Sequence, residues 1–396
     1  MSAPAAVSEA ADRPSLRTVT REWGRIGCLG FGGPPVHIAM LRELCVVRRG
    51  WIDDREFEDT VAAVNLLPGP ASTQLAIACA HRIRGRAGAA IGGAAFILPG
   101  LVLIIALGAA FLASDPPRWL RGAGAGAGAA VAAVAVKAGL DLIAPSWRRA
   151  ASHRGRLAVF VLLGAASAAL VGPYLVLVLL ACGAGSLGLA RARAWRPERP
   201  AASLTPAPLA LVAAAASAGG LGALAWTALK VGALSYGGGF VIIPLMQADA
   251  VGVNHWMTDG QFLNAVALGQ VTPGPVVLTV AVVGYAAAGV GGALLAAAVA
   301  FSPSFLFVLV GADRFHALLA DRNARAFIDG AAPAALGAIL GSAIPLALAL
   351  DEAWQLAVLA AAAVALLLLR RGVVVTLLGA GAAGAAAALA GAPLTS

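Results

Sequence analysis

Apolar runs of helical length alternate with short polar breaks from residue 26 to residue 391. Ala94 to Ala113 and Leu356 to Leu369 contain no charged side chain. Roughly 20 apolar residues suffice to cross a hydrocarbon core, so the pattern predicts an all-α polytopic membrane protein. Spans are predicted near 26–45, 57–80, 87–113, 119–144, 157–171 and 173–190. A second set follows near 228–247, 262–284, 289–311, 326–349, 354–369 and 373–391, and one more apolar run lies at 207–225. The expectation is therefore about 12–13 transmembrane segments.

The two sets repeat one unit. RIGCLGFGG at 25–33 aligns without gaps to KVGALSYGG at 230–238, and Trp51-to-Pro70 aligns to Trp256-to-Pro275 at the same offset of 205. Phe96 falls on Phe301 at that offset. Such ordered coincidence marks a tandem duplication. It divides the chain into a cytoplasmic N-terminal tail (1–22), a first repeat (23–190), an Arg- and Pro-rich cytoplasmic linker (191–206), an extra connecting helix (207–227) and a second repeat (228–396).

Loop charge orients the copies, because basic loops stay in the cytoplasm. With the N-terminal arginines inside, the basic loop 81–86 and the linker are inside as well. A crossing at 207–225 then starts the second copy from the opposite face, and its uncharged loop 285–290 lies outside. The expected architecture is a pair of inverted-topology repeats, as in many secondary transporters. Arg48 and Arg49 are the exception, since a full crossing at 26–45 places them outside. Either the first segment is re-entrant, or the exception reflects a rule that is statistical.

Composition narrows the function. The 396-residue chain is 60% hydrophobic and 12% charged, with a mean hydropathy of +0.86, whereas soluble domains carry about 25% charged residues. The net charge of +9 is topogenic arginine in loops, which argues against a nucleic-acid partner. Four cysteines lack paired spacing, so neither a disulfide nor a metal site is expected. The five histidines and four cysteines form no redox or nucleophile constellation, which argues against an enzyme, and no cofactor is expected. No Walker-type phosphate loop occurs, so an ion gradient or the membrane potential would supply the energy. His37 and His255 are read as interfacial rather than as proton carriers.

Candidate chemistry centres on the duplicated Pro-Gly-Pro. Pro68 sits midway along 57–80, and Pro273 sits at the same depth in 262–284. Proline removes a backbone donor and clashes with the preceding turn, and it biases its predecessor away from helix. Each span is therefore expected to be a broken helix. Unwound backbone at depth is tolerated where it lines a wet cavity, and the following half-helix presents N–H groups and a positive dipole end that favour an anion. The expected contacts are Pro68, Gly69, Pro70, Ser72, Thr73 and Gln74, with Asn65 ahead of the break. In the second copy they are Gln270, Thr272, Pro273, Gly274 and Pro275. Simple kinks for packing are the alternative. Phe31-Gly32-Gly33 and Tyr236-Gly237-Gly238 form a second duplicated cluster, either facing the breaks or serving packing. Arg42 is the candidate cation, because guanidinium matches oxyanion geometry, with an interfacial role as its alternative.

These landmarks together resemble the chromate ion transporter family in its long form, with two fused homologous halves. The resemblance rests on FGGP at 31–34, WIDDREF, and NLLPGPASTQLAI at 65–77. In the second half it rests on YGGGFVIIPL at 236–245, FLNAVALGQVTPGPV at 262–276 and the VGYAAAG that follows. It implies a multi-pass carrier in a bacterial inner membrane that moves chromate, a divalent tetrahedral oxyanion, out of the cytoplasm and confers resistance. Sulfate or another oxyanion is the alternative cargo, and a membrane sensor or structural subunit is the alternative class. The expected partners are the anion and the lipid bilayer, with a coupling ion that the sequence does not identify and a homodimer left open.

Overall fold

A computed structural model of the chain describes residues 14–67, 69–149, 154–170, 175–193, 220–235, 242–311 and 321–394. All regular structure among them is helical. Five helices are long and apolar enough to cross a membrane: Ala71–Phe111, Arg118–Arg148, Leu175–Ala192, Val276–Val310 and Arg325–Leu348.

The first repeat opens with two hairpins. α1 (Leu16–Leu29) starts at Ser15, whose side chain accepts a hydrogen bond from the Thr18 amide. The chain turns through Gly32 and Gly33, at φ +103° and +77°, values that glycine adopts without a Cβ penalty. α2 (Pro34–Arg42) then begins with two prolines, residues suited to the first helical positions, and continues as a π-helical turn, Glu43–Arg48. Arg48 and Arg49 reach back to the carboxylate of Glu22 at 2.8 and 3.0 Å, and Trp23 stacks on Trp51 with centroids 6.5 Å apart. The end of this segment thus returns beside the start of α1.

The second hairpin joins α3 (Asp54–Leu66) to the first arm of α4 (Ala71–Phe111). Arg82 meets Glu56 at 3.1 Å. That ion pair is incompatible with one straight broken helix, in which the two residues would stand roughly 40 Å apart at ~1.5 Å per residue. The expectation of a full crossing at 57–80 is therefore corrected. The 13 residues of α3 reach about 20 Å, short of a ~30 Å core, and Gly69 and Pro70 stand at the tip of a helical hairpin. The expected single crossing at 26–45 is corrected likewise: the chain turns between Leu29 and Pro34, and Arg48 and Arg49 return to Glu22 on α1. α4 then reverses at Arg84 and Gly85, where Gly85 has φ +61°, and Gly88 packs back on Ala80.

After α4 come α5 (Arg118–Ala129), α6 (Val131–Arg149), α7 (Arg154–Leu170) and α8 (Leu175–Arg193). Lys137 and Asp141 pair one turn apart on α6, as their spacing predicts.

The second repeat reproduces the plan. α9 (Leu221–Leu234) and α10 (Ile242–Gln247) are followed by a π-helical turn, Ala248–Val253, 205 positions after its counterpart. α11 (Asp259–Val271) starts with a reciprocal capping box of Thr258 and Gln261. After a 3-10 turn, Val276–Leu278, α12 (Thr279–Gly311) reverses at Ala288 and Gly289, the latter again at φ +61°. α13 (Arg322–Leu348), α14 (Ala353–Ala363) with its π-helical extension Val364–Leu368, and α15 (Val373–Leu389) complete the chain. The boundary expected at residue 228 falls inside α9. Residues 1–13 of the tail, linker residues 194–206 and connecting residues 207–219 lie outside the described residues.

The halves exchange partners. α5 packs on α15, with Gly122 and Gly126 against Gly384 and Ala380. Reciprocally, α13 packs on α7 and α8, with Gly164 against Ala334, Gly337 against Val161 and Gly330 against Cys182. Small residues allow this backbone approach within lipid. Helix directions follow from the contacts. Gly100 lies against Leu278 and Gly108 against Val282, so the second arm of α4 runs parallel to the first arm of α12. Val161 lies against Gly337 and Ala165 against Gly341, so α7 runs parallel to α13.

Candidate functional site

The tip of each hairpin in one half meets the other half. The Gly274 amide donates to the Gly30 carbonyl at 3.1 Å, and Gly33 faces Val276. The first turn of α2 therefore abuts the Pro-Gly-Pro of the second repeat. The opposite pairing places Gly69 beside the Gly232 carbonyl. Gly69 and Gly274 have φ +117° and +99°, which permits each sharp tip.

Helix N-termini gather at these tips. α2 starts at Gly33, α4 starts after Pro70, and the turn leading into α12 starts after Pro275. The Thr73 and Gln74 amides bond the Pro70 carbonyl at 3.0 Å, which leaves the Ala71 and Ser72 amides outside the helix ladder. α2, in contrast, starts with Pro34 and Pro35, and its Val36 and His37 amides bond the Gly33 carbonyl. Around them lie buried polar side chains. Ser72, Thr73 and Gln74 are almost fully enclosed, as are Ser235, Gln270 and Thr272. The Thr272 hydroxyl donates to the Leu268 carbonyl at 2.8 Å and is occupied. The Thr73 and Ser235 hydroxyls and the Gln270 amide nitrogen have no hydrogen-bond partner among the described residues. Buried donors without partners are rare; Thr73 stands in the first turn after the first break, Gln270 just ahead of the second, and Ser235 caps the end of α9.

Of the residues expected at this site, the structure brings Gly32, Gly33, Gly69, Pro70, Ser72, Thr73, Gln74, Gln270, Thr272, Pro273, Gly274 and Pro275 to the tips. Phe31 is at the first tip but exposed, and Asn65 falls in the last turn of α3. Pro68, Tyr236, Gly237 and Gly238 lie outside the described residues. Arg42 is placed elsewhere: it stands at the far end of α2, half exposed, and bonds Asp54 at 2.5 Å. Gln247 and Asp259 make the equivalent contact at 2.9 Å, so the position joins neighbouring hairpins in both halves.

Sequence reasoning missed two features. His37, read as interfacial, is fully buried at a tip, its Nε2 2.8 Å from the Gly30 carbonyl. Its place three residues after Pro34 was the available signal. The hairpin bases also carry ion clamps of opposite arrangement. Glu22 on α1 holds Arg48 and Arg49, whereas Lys230 on α9 holds Asp249, which also accepts from Thr227 at 2.8 Å. Burial works against the ionisation of Glu22, but hydrogen bonds and charge from Arg49 and Arg48 outweigh it and hold the carboxyl below its ordinary value. A separate cleft of about 330 Å³ opens between α3 and the first arm of α4, lined by Asp53, Glu56, Asp59, His81 and Arg82 among others.

Comparison with known proteins decides the family. The chromate transporter family matches residues 17–188 and 222–385. The chain belongs to the chromate transporter family. The two matched regions correspond to the two halves of a chromate transporter of the long form, a membrane transporter and not an enzyme. The chromate transport protein of Cupriavidus metallidurans is 32% identical over 344 residues, covering 84% of this chain and 83% of that protein. The chromate transport protein of Pseudomonas aeruginosa is 32% identical over 341 residues, covering 83% and 80%. A probable chromate transport protein of Synechococcus elongatus is 30% identical over 342 residues, covering 84% of each. No solved structure matches the chain. Both tips, the three π-helical segments among the described residues and both chain reversals fall inside the matched regions.

Proposed function

We propose that this chain is a secondary transporter that exports chromate across a bacterial inner membrane and thereby confers resistance, with the anion held between the hairpin tips. The observation that carries this reading is that Thr73, Ser235 and Gln270, around the two hairpin breaks, each keep an enclosed donor without a partner among the described residues. Such donors are satisfied by a tetrahedral dianion and by no side chain within reach among the described residues. The halves are inverted repeats. The second arm of α4 runs parallel to the first arm of α12, and therefore antiparallel to the α12 arm that corresponds to it. Hairpins entering from opposite faces then meet at mid-depth, which gives a site that each face can reach in turn.

The test is radiolabelled chromate flux in everted vesicles, with sulfate as competitor. Accumulation that depends on the protein is expected. Absence of movement with folded protein in the membrane would defeat the transporter reading, and full competition by sulfate would broaden the cargo to tetrahedral dianions.

A further inference from the structure

The cavities, ion clamps and buried polar groups leave one ionisable side chain at the tips that the anion reading does not use. His37 stands in the first turn of α2 and is fully enclosed, with its ring edge-to-face on Phe96 at 5.0 Å. Nε2 faces the Gly30 carbonyl at 2.8 Å. A carbonyl only accepts, so Nε2 carries the hydrogen, and in the neutral ring Nδ1 holds the lone pair. Nδ1 is buried and has no partner among the described residues. The same Gly30 carbonyl accepts from the Gly274 amide, which ties this ring to the Pro-Gly-Pro of the other half. The equivalent position in the second repeat is Ile242, so only one tip can titrate in this way.

We propose that His37 is the proton site coupled to the anion. The inference rests on the tips being the anion site. Burial and the positive end of α2 oppose a charged imidazole when no anion is present. A dianion at the same tip reverses that balance, and Nδ1 then takes one proton from solvent to become an N–H donor on a cationic ring. Linkage makes the effect reciprocal: the protonated ring strengthens anion binding by the same factor. Few other charges face the ring. On α1, Cys28 is in the last turn, while Arg17, Arg21, Glu22 and Arg25 stand at least a turn back from the tip. On α4, His81, Arg82, Arg84 and Arg86 are at the hairpin base, and residues 93–100 around Phe96 are uncharged. Residues 273–276 carry no charge either; on its own helix Arg42 is paired with Asp54, and Glu43 follows it.

The experiment measures sulfate binding to the purified full chain as a function of pH, together with the protons taken up on binding. Sulfate is the probe because it remains a dianion through the imidazole range, whereas chromate itself titrates there. Wild type is expected to bind more tightly as pH falls, approaching about tenfold per pH unit, with up to about one proton taken up per sulfate. His37→Gln keeps an N–H for the Gly30 carbonyl but cannot titrate, and is expected to bind without pH dependence or proton uptake. Proton uptake retained in His37→Gln overturns the proposal. So does a flat wild-type profile, which needs no variant to fold. If wild type binds neither sulfate nor chromate at any pH, the anion site itself fails; binding with a flat profile removes His37 alone.

Discussion

Gly274 holds φ at +99°, a conformation that side-chain-bearing residues rarely adopt. A Cβ built there would meet only ordinary contacts, Leu278 at 3.5 Å and Gly100 at 3.9 Å. Gly274→Ala therefore tests backbone strain rather than a clash. A cost of about 1–3 kcal/mol is expected, read as a lower melting temperature, with anion flux falling further because the tip moves. Undiminished flux would mean that the tip geometry is not needed for transport. Thr73→Val keeps the shape of a fully buried side chain while deleting a hydroxyl that has no protein partner. Losing a donor to a charged ligand costs about 1.5–3 kcal/mol, so sulfate should bind roughly tenfold to a hundredfold more weakly, with little change in stability. Equal affinity would remove Thr73 from the site.

Each hairpin is held closed at its base, and the first clamp makes this measurable. In the double variant Arg48→Ala/Arg49→Ala, the Glu22 carboxylate keeps, among the described residues, the exposed Arg21 at 4.0 Å. Hydrogen bonds to a charged group are worth about 1.5–3 kcal/mol, and the half-exposed arginines put the cost at the lower end; adding Glu22→Gln should restore much of it. The pH dependence has a definite sign. A carboxyl held below its ordinary value stabilises the fold above that value and loses the contribution as pH falls through its folded-state value. Wild type should therefore lose more stability than Glu22→Gln as pH is lowered from neutral through the carboxylate range; parallel losses would show that the clamp does not contribute. These hairpins also mark where sequence stopped being informative. The long apolar helices, the 205-residue repeat and the break at Gly69 and Pro70 were readable, because periodicity and proline chemistry are local. The spans read at 26–45 and 228–247, in contrast, each prove to hold the end of one helix and the start of the next. Whether Pro68 interrupts one crossing or turns the chain around was not readable. That choice depends on Glu56 meeting Arg82, a contact between residues far apart along the chain. Arg42 was misplaced for the same reason: its charge suited an anion, but its partner Asp54 lies on the next hairpin.

The whole molecule joins two halves that share a plan but differ in charge at equivalent reversals. Loop 81–86 is basic and loop 285–290 is neutral, the asymmetry that opposite membrane orientations select. The exchanged packing points the same way. α7 runs parallel to α13, and α5 meets α15 with Gly122 against Gly384 and Gly126 against Ala380, an antiparallel register. If both halves entered from one face, α13 would run against α7. The decisive measurement labels one cysteine beside each reversal. In a chain with Cys28, Cys45, Cys79 and Cys182 replaced by alanine, Arg86→Cys and Val290→Cys occupy exposed positions just after Gly85 and Gly289. A membrane-impermeant thiol reagent should label Arg86→Cys only in everted vesicles and Val290→Cys only in right-side-out ones. Labelling of both from one face would make the halves parallel repeats and separate the two sets of tips. The hydrogen bond from Gly274 to Gly30 could not then form at mid-depth, and the shared anion site would be lost with it.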